Sequence, residues 1–105
     1  MGLEVNRMNQ YTDQKLDNFY TLLPLITIEN RNQLKKWGVQ THSSFEWLAY
    51  LTEEVGEVSK AISEYEYRNG TKEEIVKEAI QAATLALKIA EMYLDKNEVR
   101  DEGRE

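Results

Sequence analysis

Four side chains carry the most suggestive spacing in the chain. Glu54 and Glu57 stand three residues apart, and Glu78 and Gln81 repeat that spacing after an interval of twenty residues. On a helix, residues three apart share a face, so each pair would send two oxygen-bearing groups in one direction. Acids gathered in this way repel one another unless a dication or protons neutralise them. Hard oxygen donors select Mg²⁺, Mn²⁺ or Ca²⁺ over zinc. The chain has no cysteine and a single histidine, His42, so any metal would be held essentially by oxygen.

Placement on the helix makes these acids distinctive. Helical residues advance by roughly 100° each. On the first helix the apolar stripe is Trp47, Leu48, Leu51, Val55, Val58, Ile62 and Tyr65. Glu54 falls at the edge of this stripe, on the flank of Tyr50, Glu57 and Ala61, whereas Glu53 points away and is expected to face solvent. On the second helix Glu78 lies inside the stripe, between Leu85 and Ile89, with Gln81 and Glu74 just outside it. An acid beside a core-facing stripe needs a counter-charge. A plainer reading stands beside this one: exposed helices often carry Glu at i, i+3, and Lys60, Lys77 and Lys88 are at hand to pair with such acids.

The elements that must position these residues are all helical. Residues 1–11 show no apolar period and read as a loose tail. Thr12-Asp13 can cap a helix through Leu16, Phe19, Tyr20 and Leu23. Pro24, the only proline, should kink or break it, giving a second segment through Ile26, Asn30, Leu34 and Trp37 that stops at Gly38. Ser43 or Ser44 then caps a helix over 45–68, which Asn69-Gly70 ends. Thr71 and Glu74 have capping-box spacing, opening a helix over 72–96. So short a turn makes the two long arms antiparallel. With the turn near Asn69, Glu54 and Glu78 would differ in level by roughly 9 Å along the axis, a gap that only an inclined crossing or long side chains could narrow.

The expected fold is therefore an all-α helical bundle: a long antiparallel hairpin with a kinked N-terminal helix, in one domain over 12–96, followed by a polar tail over 97–105. The second arm is apolar around well over half its circumference, from Ile75 to Leu94, and its alanines at 79, 82, 83, 86 and 90 permit close helix approach. One hairpin and one further helix leave part of that surface uncovered, so a homodimer or homotetramer is expected to complete the bundle.

Composition narrows the partners. At 41% hydrophobic and 30% charged, the 105 residues are those of an ordinary folded domain. The net charge of −6 lies entirely in the second half: residues 53–105 carry fourteen acids against eight bases, while residues 1–52 balance. Such a surface repels a phosphate backbone, which argues against polymeric DNA or RNA, yet it attracts divalent cations through which a small phosphorylated ligand can bind. No apolar run reaches the length of a membrane span. The N-terminus Met1-Gly2-Leu3-Glu4 carries no secretory pattern, and together with the lack of cysteine this fits a cytoplasmic protein.

In combination, these residues resemble the MazG-like all-α nucleoside triphosphate pyrophosphohydrolases. The signature of that family is ExxE, a spacer, then ExxD, on two helices of a bundle. Glu53-Glu54-Val55-Gly56-Glu57 contains the first half in full, and Glu78-Ala79-Ile80-Gln81 contains the second with Gln81 in place of Asp. A branch of the family carries Gln there, followed by paired alanines, as at Ala82-Ala83. Arg31, Gln33, Lys36-Trp37-Gly38, His42 and Trp47-Leu48-Ala49 add to the likeness, which spans residues 29–94.

The resemblance implies a Mg²⁺-dependent hydrolase, with Mn²⁺ as a substitute, that cleaves a nucleotide between its α and β phosphates. Glu54, Glu57 and Glu78 would be catalytic residues and metal ligands, and Gln81 a weaker, neutral or water-mediated ligand. Lys36, Lys60, Arg68, Lys72 and Lys77 are candidates for the phosphates, though such a residue is more often an ordinary surface charge. Trp37 and Trp47 could stack on a base or simply pack, and Tyr50 could bond a ligand or a neighbouring helix. The Gln81 departure leaves open an alternative: a catalytically weak or silent oligomer that binds nucleotide and Mg²⁺ in a regulatory or structural role.

Overall fold

A computed structural model describes the backbone of residues 13–94 and the side chains of residues 17–94. The two expected tails, the Thr12-Asp13 cap and the end of the last helix beyond residue 94 lie outside the described residues. Within them the chain forms three helices and no strand: α1 (Asp13–Trp37), α2 (Ser44–Tyr67) and α3 (Lys72–Met92). The α2 and α3 helices form the hairpin, and α1 lies against α3 with little contact to α2. Tyr93, just past the end of α3, donates its hydroxyl to Ser44 Oγ at the start of α2, 2.8 Å away. That bond ties the open end of the hairpin and fixes its arms as antiparallel.

The caps follow from local chemistry. Ser43 Oγ accepts the Glu46 backbone N–H at 3.1 Å, while the Ser43 N–H donates to Glu46 Oε1 at 2.8 Å, a complete capping box. The backbone hydrogen bond from Ser43 holds the Glu46 carboxyl below its ordinary value. At α3 only the forward half of the box forms: Thr71 Oγ1 accepts the Glu74 N–H at 3.1 Å. The Glu74 carboxylate turns to Lys77 Nζ instead, 3.9 Å away.

The stops also sharpen the sequence reading. Gly38 ends α1 with φ +69°, its N–H bonded to the Leu34 carbonyl at 2.8 Å. At the end of α2, Asn69 alone takes the left-handed conformation, at φ +65°. Gly70 is required for a different reason. Its N–H bonds to the Glu64 carbonyl at 2.8 Å, and a Cβ there would stand 2.9 Å from the carbonyl carbon of Glu64 and from the Tyr65 nitrogen.

Two boundaries differ from expectation. The N-terminal helix is not divided at Pro24: α1 runs through it as one element of 25 residues. Pro24 is exposed, so the carbonyl deprived of its partner faces water rather than core. The α3 helix ends at Met92, short of 96, where the Tyr93 and Leu94 amides reach back three residues to Ala90 and Glu91 in a tightened last turn.

The interior is thin. Ala61 and Leu85 are the buried apolar residues, joined by Thr84, whose hydroxyl donates to the Ile80 carbonyl, and by Gln33. Leu87 and Met92 of α3, Leu34 of α1 and Phe45 and Tyr67 of α2 all remain exposed. No helix among the described residues is long and apolar enough to cross a membrane.

Candidate functional site

The hairpin brings Glu54 of α2 and Glu78 of α3 together around the side-chain amide of Gln81. Gln81 closes the gap in level between them. It lies one turn further along α3, nearer to Glu54, and with its amide nitrogen turned toward the acids it donates to Glu54 Oε2 at 3.1 Å and to Glu78 Oε1 at 3.0 Å. Two carboxyls in contact favour retention of a proton. The bond with Glu54 is the main cause that raises Glu78 above the ordinary glutamate value, and burial adds to it, while the hydrogen bond with Glu74 and the charge of Lys77 oppose it.

This pair stands between two open cavities. Glu54 and Gln81 line one of about 410 Å³, whose aromatic walls are Trp37, Trp47 and Tyr50. Glu78 lines the other, of about 310 Å³, together with Glu57 and Lys60. Among the described residues no three His, Asp or Glu side chains converge into a group able to hold a metal ion. Gln81 joins Glu54 and Glu78, while Glu57 and Glu74 stand with Glu78 in the second cavity.

The remaining candidates separate. Trp47 packs edge-on against His42 and Tyr50, with ring centroids 4.8 Å apart for His42–Trp47 and 5.9 Å for Trp47–Tyr50. Trp37 lines the same cavity but is half exposed, with Lys36 Nζ 4.7 Å over its ring. Lys36 itself does not line that cavity. Lys72 and Lys77 flank a groove between α1 and α3, and the charge of Lys77 also reaches Glu78. Glu53 is exposed, as expected of a solvent-facing residue, and stands at the open rim of the larger cavity beside Glu54.

Compared with family models, curated proteins and solved structures, the chain matches none.

A polar chain that the sequence reading missed runs from Lys88 to Gln33 and Glu29, the last two of which line the larger cavity. Lys88 Nζ of α3 donates to Gln33 Oε1 of α1, and Gln33 Nε2 donates to Glu29 Oε2 at 2.7 Å. Lys88 also stands 5.1 Å over the Trp47 ring. Burial lowers the Lys88 ammonium below its ordinary value, and Glu29 partly offsets this. Gln33 is only 8% exposed. Its signal was present in the sequence: a carboxamide one turn before Trp37 on a helix face that also carries Ile26 and Asn30.

Proposed function

We propose that the chain is a metal-dependent nucleotide pyrophosphohydrolase, converting a nucleoside triphosphate into monophosphate and pyrophosphate. The Glu54–Glu78 contact carries this reading: two carboxyls from different helices press together at the mouth of an aromatic-walled cavity, with Gln81 bonded to both. Like charges held so close favour a cation between them. The donors, two carboxylates and a carboxamide oxygen, fit Mg²⁺ or Mn²⁺ once the Gln81 amide turns its oxygen toward the acids. A bound ion of this kind would neutralise phosphate oxygens and the charge that develops as the α–β linkage breaks.

The chain's own residues then divide the remaining work. Glu54, Glu78 and Gln81 would hold the cation. Glu57, on the Glu78 side, serves as a further ligand or as the carboxylate that orients a water and takes its proton. The water oxygen bonds to phosphorus, the bridging P–O bond breaks, and pyrophosphate leaves. Lys60, in the cavity of Glu57 and Glu78, is the lysine best placed for a phosphate. Trp37, Trp47 and Tyr50 offer faces and edges to the base. Lys36 lies outside the aromatic-walled cavity and falls outside this assignment, while Lys77 stays a neighbouring charge of Glu78. The likeness of the two Glu motifs to the MazG-like signature supports the same reaction.

One observation favours a second reading. Gln81 already satisfies both acids, so the site is also compatible with a weak or silent nucleotide-binding protein. Gln81→Asp separates the two readings. If the wild-type chain is the enzyme, it releases pyrophosphate with Mg²⁺, and the added carboxylate alters that rate. If the chain is silent, the wild type is stabilised by Mg²⁺ with a non-hydrolysable nucleotide but turns nothing over. A melting temperature unmoved by both together contradicts either reading.

The thin interior supports a homo-oligomer, dimer or tetramer, in which copies of this chain cover the exposed apolar residues of α3 and α1. The acidic second half supports a small nucleotide rather than a nucleic-acid polymer as ligand. A cytoplasmic setting fits such a substrate.

A further inference from the structure

We propose that the outer flank of α1 is the seam by which two copies of this chain pair, antiparallel, through Tyr20, Leu23, Thr27, Asn30, Leu34 and Trp37. The inference rests on the homo-oligomer reading above and specifies its surface and orientation.

The seam exists because α1 is unbroken. With the helix continuous through Pro24, these six residues recur at intervals of three, four, three, four and three, the heptad spacing of a two-helix seam. At roughly 100° per residue they fall within an arc of about 100°. A different flank of α1 meets the hairpin: among its described side chains only Ile26, Glu29 and Gln33 are less than exposed. The seam itself is open. Tyr20 is 60% exposed and Leu34 57%, and Leu23, Thr27, Asn30 and Trp37 are exposed with them. A row of large apolar side chains along one helix flank calls for a partner helix.

The order of residues in the seam identifies that partner. It reads aromatic, aliphatic, polar, polar, aliphatic, aromatic, so it complements itself when reversed. Two copies set antiparallel about an axis between Ile28 and Glu29 place Tyr20 of each against Trp37 of the other. Leu23 then meets Leu34, and Thr27 meets Asn30. Such a pairing is isologous and closed, and an amide at a seam position fixes its register.

Charge selects this orientation over the parallel one. The α1 helix carries Asp17 near its start and Lys35 and Lys36 in its last turn. Antiparallel packing brings unlike ends together, whereas parallel packing brings like ends together. Space for the incoming helix is present: Thr27 and Asn30 share an open cavity of about 270 Å³ with the exposed Leu87 of α3. Trp37 also lines the cavity of Glu54 and Gln81, so Tyr20 of the second copy stands at the edge of that site.

The test uses introduced cysteines, since the chain has none of its own. In the antiparallel seam Leu23 of one copy lies level with Leu34 of the other. Each lies roughly 16 Å along the axis from its own counterpart, too far for a disulfide. Chains carrying Leu23→Cys and Leu34→Cys, co-expressed and oxidised, are therefore expected to give a disulfide-linked dimer, and either variant alone to give none. Sedimentation equilibrium of the wild type and the reduced variants reads assembly separately. A linked dimer from either variant alone shows parallel pairing and overturns the inference. Absence of linkage in variants that sediment as an oligomer also overturns it and leaves the homo-oligomer reading standing. A wild-type monomer overturns both. Leu34→Lys gives a check without cysteine: it should lower the sedimenting mass while circular dichroism shows the helix content kept, and an unchanged mass contradicts the seam.

Discussion

The contact between Glu54 and Glu78 makes the stability of the metal-free protein depend on pH in a specific direction. Glu78 holds its proton more tightly in the fold than the ordinary glutamate value of 4.5 allows. Above its raised value the folded chain carries the full penalty of two charged neighbours. As pH falls through that value the folded state takes up a proton before the unfolded state does, so stability rises, and the gain is complete near 4.5. Glu46, held low by Ser43, works the opposite way, losing stability as pH falls through its depressed value. The difference between wild type and Glu78→Gln isolates the first effect. Thermal unfolding without divalent ions should show the variant more stable at neutral pH, with the advantage shrinking toward acid; a variant less stable at neutral pH contradicts the contact. At this scale Glu54 and Glu78 were legible in the sequence because an acid on an apolar stripe needs a reason. The bond from Lys88 to Gln33 was not, because the partner that a helix face meets depends on the neighbour across from it.

At the scale of elements, the loop joining α2 to α3 sets the register that lets Glu54 and Glu78 meet. Gly70→Ala would place a methyl 2.9 Å from backbone atoms of Glu64 and Tyr65. We expect it to cost about 1–3 kcal/mol, the usual range for overpacking, read by denaturant unfolding, and a neutral result would show that the loop can relax. Ser43→Ala should cost about 1 kcal/mol through the lost cap of α2, while a loss near zero would mean that Glu46 and water replace it. Helix starts and stops were readable because capping chemistry is local, as at Ser43, Thr71 and Gly38. The missing half of the Thr71 box and the unbroken α1 were not. The Glu74 carboxylate lies beside Lys77 and Glu78 rather than over its own cap, and an exposed proline forfeits one hydrogen bond without ending a helix.

At the scale of the whole molecule, the all-α hairpin was legible from periodicity, and the uncovered apolar surface of α3 follows from the same pattern. Leu87 is 53% exposed on a helix that is otherwise the centre of the fold. Sedimentation equilibrium should give a mass that is a multiple of 12.3 kDa, and Leu87→Glu should reduce it. A monomer at micromolar concentration would contradict the assembly. The hydrolytic claim itself is tested most directly by pyrophosphate release from a panel of ribo- and deoxynucleoside triphosphates in Mg²⁺, with wild type and Glu54→Gln side by side. The expected result is release by the wild type that falls by about 100-fold or more in the variant, as loss of several kcal/mol of transition-state stabilisation requires. No release from any nucleotide, or release undiminished in Glu54→Gln, would contradict it.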